Sequence, residues 1–128
     1  MCLLKRSGAP RLKTRVIFHA SSLGLPERQQ LGQAELSPRG FRLRLSPKPE
    51  EGIPATEIAV PLDRIDNVRA YQKKTYSSTF YVVEVAWREP DGTPRTVAFE
   101  IRVFLRRGRA LATARAWKAA WRRLAGAA

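Results

Sequence analysis

The stretch from Arg109 to Leu124 constrains this chain more than any other. Ala110, Ala114, Trp117, Trp121 and Leu124 are spaced by four, three, four and three residues, which sets them on one face of a helix. Arg115, Lys118 and Arg122 fall on the opposite face, with Arg123 on the flank. A helix carrying two tryptophans on one side must lay that side on an apolar surface. The chain before it alternates as strands do, so that surface is expected to be a sheet.

The strand pattern is read in order. Residues 1–10 hold Ser7, Gly8 and Pro10 and little hydrophobicity, and are expected to form a tail. In residues 11–19, Leu12, Thr14, Val16 and Phe18 share one face; Arg11, Lys13, Arg15 and His19 share the other with Ile17. A second strand is expected over 31–36 and a third over 40–46. Between them Ser37-Pro38-Arg39-Gly40 has proline at the second turn position and glycine at the fourth, a tight-turn pattern. Phe41, Leu43 and Leu45 then face inward and Arg42 and Arg44 outward.

Ser46 to Ala55 carries three prolines and a glycine and is expected to be an irregular loop. A fourth strand over 57–62 turns Ile58, Val60 and Leu62 inward. Pro61 cannot donate to a ladder, which puts this strand at a sheet edge or ends it there. Asp63 to Asp66 turns the chain, and a fifth strand follows over 67–73. Thr79 to Arg88 and Arg95 to Leu105 make the clearest hairpin, joined at Pro90-Asp91-Gly92. In the last strand Val97, Phe99, Ile101, Val103 and Leu105 share one side, and Glu100 and Arg102 belong to the other. Arg106-Arg107-Gly108 is the expected hinge into the helix. The fold class is therefore mainly β with one C-terminal helix, as a single domain over 11–125 with a short tail at 126–128.

Charge narrows the partners. The net charge is +13, from 24 basic and 11 acidic residues, and arginine far outnumbers lysine. Such a domain favours partners with clustered negative charge, and guanidinium groups make forked contacts to carboxylate or phosphate. The expected partners are an acidic protein or an anionic lipid surface, with nucleic acid as the alternative. The candidate binding residues are Arg11, Lys13 and Arg15 on the first strand and Arg42 and Arg44 on the third. Arg106, Arg107, Arg109, Arg115, Lys118, Arg122 and Arg123 form a second patch on the helix back.

Catalysis is not expected. His19 is the only histidine and Cys2 the only cysteine, so neither a zinc set nor a nucleophile triad has sequence support. Asp63 and Asp66 read as turn formers. No phosphate-cradling glycine loop occurs, and no cofactor is expected. One cysteine and no signal-like start suit a cytoplasmic protein, with attachment to the inner membrane face as a variant of that expectation.

Gln33 to Leu43 resembles the second strand, turn and third strand of bacterial pleckstrin homology (PH)-like and GRAM-like domains. Ile58 to Val68 resembles their fourth-to-fifth strand passage. With the hairpin and the tryptophan helix, the resemblance covers roughly residues 11 to 125. It implies a seven-stranded antiparallel barrel or sandwich capped by the helix, serving as a binding or adaptor module. Lipid-binding members carry a basic-x-Arg pair on the second strand. Here Leu31 to Leu36 has none, and Arg42 and Arg44 lie on the third strand instead. A weaker resemblance is to PilZ domains, through Arg11-Leu12-Lys13-Thr14-Arg15 and Glu35-Leu36-Ser37-Pro38-Arg39-Gly40. It implies cyclic di-GMP bound by Arg11, Arg15, Glu35, Ser37 and Gly40, with glutamate where the motif has Asp or Asn.

Overall fold

The structure is a computed structural model, and it describes residues 11–25, 29–77, 79–101 and 107–127; for Arg107, Gly108 and Ala127 it describes the backbone alone. Seven antiparallel strands are followed by one helix. They are β1 (Leu12–Ser21), β2 (Leu31–Ser37), β3 (Gly40–Leu45), β4 (Thr56–Val60), β5 (Ile65–Lys74), β6 (Thr79–Arg88), β7 (Pro94–Ile101) and α1 (Arg107–Ala127). The strands form one sheet in the order β4-β3-β2-β1-β7-β6-β5. Among the described residues the two end strands, β4 and β5, pair with β3 and β6 alone, so the sheet is open and not a closed barrel.

The sheet curves around the helix. Two strands, β2 and β1, lie between Phe41 on β3 and Phe99 on β7, so three strand spacings separate them. At a spacing of about 4.8 Å per strand, a flat sheet would hold their backbones about 14 Å apart. Instead their rings stack with centroids 6.0 Å apart. The Trp117 ring meets Phe99 edge-on at 5.3 Å and Phe41 at 6.1 Å. Trp117 is fully buried, and its indole N–H donates to Thr14 Oγ1 of β1 at 3.1 Å. Burying an indole without a partner for its N–H carries a desolvation cost, which Thr14 removes. Val16, Phe18, Leu36, Leu43, Val83, Val85 and Leu124 complete the same core.

The element boundaries differ from the sequence expectation where local chemistry is weak. β4 stops at Val60, before Pro61, because proline offers no ladder donor. Leu62–Arg64 is a 3₁₀ turn, and β5 begins two residues early, at Ile65, with an irregularity between Ile65 and Asn67. β5 also runs on through Lys74. The 46–55 loop contains a 3₁₀ turn at Pro49–Glu51, clasped by a bridge between Lys48 and Ile53. α1 extends past both expected ends, so Arg107 and Gly108 are helical and the expected 126–128 tail is helical through Ala127. Val103 and Leu105 lie outside the described residues. At the β6–β7 turn Thr93 N–H donates to Asp91 Oδ1 at 2.9 Å, and hydrogen bonding from the Thr93 side chain, then from its N–H, holds the Asp91 carboxyl below its ordinary value.

The β2–β3 turn is where one atom decides the packing. Gly40 has a φ of 121°, and a Cβ there would lie 2.1 Å from the Val60 carbonyl oxygen and 2.9 Å from the Leu62 nitrogen. Both obstacles are backbone, so neither moves cheaply. Gly40→Ala is expected to destabilise the fold by about 2 kcal/mol or more. Urea denaturation of the two proteins measures it, and an unchanged midpoint would show that the end of β4 yields.

Candidate binding face and groove

Because side chains alternate along a strand, β1, β2 and β3 put their polar positions on the face away from α1. The register then aligns them in rows. Lys13 lies opposite Glu35, Glu35 opposite Arg42, and Arg42 opposite Ala59. In the next row Arg15, Gln33, Arg44 and Glu57 follow one another across the same four strands. The two basic stripes are thus one surface, with β2 between them. Arg11, Lys13, Arg15, Arg42 and Arg44 are all exposed.

Two carboxylates temper these five cations. Arg11 Nε lies 2.8 Å from Glu35 Oε2. Arg42 and Arg44 both lean on Glu57, at 3.3 and 3.7 Å. Exposed pairs of this kind contribute at most about 1 kcal/mol, so an incoming carboxylate can replace them. Lys13 and Arg15 have no ion-pair partner among the described residues.

The outer face is not open along its whole width. Ile17, Val82, Ala98 and Glu100 also point away from the core, yet all four are buried. The register lines up Val82, Glu100 and Ile17 in one row across β6, β7 and β1. This buried strip separates the basic surface of β1–β4 from Arg69 and Lys73 on β5. Leu31, 59% exposed, continues that row on β2.

The helix back forms a separate surface. Arg109, Arg115, Arg122 and Arg123 are exposed and Lys118 half-buried, while Trp117 and Leu124 face the core. The helix lies on the opposite side of the sheet from Lys13 and Arg42, so the two basic regions do not merge. Arg106 lies outside the described residues, and only the backbone of Arg107 is described.

At one end of the basic face, beside the β2–β3 turn, is a groove of about 690 Å³. Arg11, Arg39, Arg42 and Glu35 line it with Ser37, Pro38, Gly40 and the β4 terminus from Ala59 to Pro61. Four of the five residues of the cyclic di-GMP expectation meet here. The fifth, Arg15, does not line the groove; it is four residues beyond Arg11, in the row of Arg44. Glu35 already receives Arg11, and Gly40 has a steric reason of its own to be glycine. Sequence reasoning passed over Arg39, whose turn position gave no sign that β4 would close a wall beside it. It also passed over Glu57, which becomes relevant only through the β3–β4 register.

No group of three or more His, Cys, Asp or Glu able to hold a metal ion occurs among the described residues, and no described helix is long and apolar enough to cross a membrane. Tyr71 has the Arg69 guanidinium 4.9 Å from its ring centroid, Tyr81 packs on the core, and Tyr76 is fully exposed. Compared with protein-family models and with curated proteins, the sequence matches none.

His19 sits where β1 is irregular, beside the Phe80 ring with centroids 6.3 Å apart. Burial, and secondarily the charge of Lys73, lowers its pKa below the ordinary 6.5. The unfolded chain therefore binds a proton at a higher pH than the folded one. Stability should fall as pH drops through 6.5 and level off once the folded imidazole also titrates. Denaturation of the protein and of His19→Gln at about pH 7.5 and about pH 5.5 measures the slope, which the substitution should reduce. An equal slope in both would assign the acid sensitivity to another group.

Proposed function

We propose that this chain is a non-enzymatic, PH-like adaptor module that docks an acidic protein partner through the outer face of β1 to β3. The observation that carries the reading is the merger of the Lys13–Arg15 and Arg42–Arg44 stripes into one exposed surface. Strand order and a capping C-terminal helix support the PH-like part. A protein partner suits the face better than a lipid surface. Glu35 and Glu57 are interleaved with the cations, giving a patterned potential that a matching protein surface can satisfy. Leu31 adds an exposed apolar contact at its margin.

The test compares two charge reversals in an affinity capture at about 0.15 M salt, with and without nuclease. Lys13→Glu with Arg15→Glu should abolish capture of acidic proteins. Arg115→Glu with Arg122→Glu, on the helix back, should leave it intact. The reverse order would move the docking face to the helix. Loss on nuclease treatment alone would make nucleic acid the partner.

Cyclic di-GMP is the second reading, favoured by the convergence of Arg11, Glu35, Ser37 and Gly40 on one groove. On the adaptor reading, calorimetry with this dinucleotide gives no heat. Heat that disappears in Arg11→Ala would put the nucleotide reading first.

A further inference from the structure

We propose that the groove and the open edge of β4 together receive an extended acidic segment of the partner protein. Its backbone pairs with β4, and its carboxylates lie against Arg11, Arg39 and Arg42. This rests on the adaptor reading and gives the docking face a particular mode of recognition.

Three observations converge. First, β4 is the end strand of the sheet. Its ladder to β3 uses one edge, and the other has no strand partner among the described residues. Unpaired strand edges are templates for another chain, and proteins usually obstruct them. The obstructions here stand at Glu57, within the strand, and at Pro61, beyond its end. Between them the outward position is Ala59, a single methyl group.

Second, the rows end differently. Arg44 meets the carboxylate of Glu57 directly across β4. Arg42 meets Ala59 and must reach diagonally for the same Glu57. One carboxylate thus serves two guanidinium groups. Glu35, on the other side of Arg42 in its row, is engaged by Arg11; an acidic residue on an added strand, next to Ala59, would give Arg42 a carboxylate on its β4 side. The arginine side chain is long enough to cross a methyl group to reach it.

Third, Arg39 projects from the turn with no side-chain partner among the described residues. Together with Arg11 and Arg42 it leaves the groove with more positive charge than Glu35 can balance. A volume of about 690 Å³ suits several side chains of a chain segment better than a lone anion. A headgroup or a nucleic-acid phosphate could meet the arginines but would make no use of the strand edge, and this difference can be tested.

The probe is a fluorescein-labelled peptide of alternating glutamate and threonine, about eight residues long, titrated into the full chain by fluorescence anisotropy. Saturable binding is expected at about 0.15 M salt. Arg39→Ala, on the exposed turn, should weaken it about threefold, and Arg42→Glu about tenfold or more. Circular dichroism checks that each variant is folded. N-methylation of alternate peptide residues keeps every charge and removes backbone donors, and one of the two alternate sets should weaken binding about tenfold. Equal affinity of both N-methylated peptides would overturn strand addition, as would absence of saturable binding. Weakening by Lys13→Glu with Arg15→Glu, but not by Arg39→Ala or Arg42→Glu, would also overturn the groove while leaving the adaptor reading intact. If neither pair of variants affects capture of the partner, both readings fall.

Discussion

Everything in this fold depends on the contact of Trp117 with Phe41 and Phe99 inside the curve of the sheet. The two phenylalanines belong to strands three places apart, and they stack only because the sheet bends. The indole fills the angle between them and reaches Thr14 with its one polar atom. Four elements, β1, β3, β7 and α1, are therefore tied at one buried point. Loss of this ring would leave a cavity and take from Thr14 its side-chain partner, two costs at one point.

The same contact decides where charge can go. With one face of β1 to β3 committed to the tryptophan side, every second residue must face the other way. Arginine and lysine occupy those positions in β1 and β3. β2 carries Gln33 and Glu35 between them, so the basic stripes are spaced by neutral and acidic side chains and do not repel each other at close range. Glu57 on β4 does the same from the far side. The surface is thus a set of alternating rows, a pattern better suited to reading a partner's charge arrangement than to attracting any anion at long range.

Much of this was legible in the sequence. The helix phase around Trp117 and Trp121, the Ser37–Gly40 turn and the β6–β7 hairpin all follow from local periodicity and turn chemistry. The order of the strands along the sheet does not, because it depends on which distant segments pair. The joining of the basic stripes therefore had to await the observation that β2 separates β1 from β3. The groove was hidden for the same reason. Arg39 reads as an ordinary turn residue, and only the approach of Val60 and Pro61 to Gly40 gives it a wall. Periodicity also left the exposure of the far half of the outer face open. Ile17, Val82 and Glu100 alternate correctly with the core positions, yet they are buried. Alternation separates the two sides of a sheet but does not say that either side meets water.

The bond from Trp117 to Thr14 joins residues 103 positions apart, and β1 finds its second neighbour only in β7. The centre of this fold thus joins segments far apart in the sequence. During synthesis the β1–β4 portion can form its hairpin ladders, but its apolar side stays uncovered until the last helix emerges. Long-range closure of this kind slows folding and prolongs the exposure of unpaired strands. Lysine and arginine on β1 and β3 oppose the association of such uncovered sheets with one another, because like charges repel.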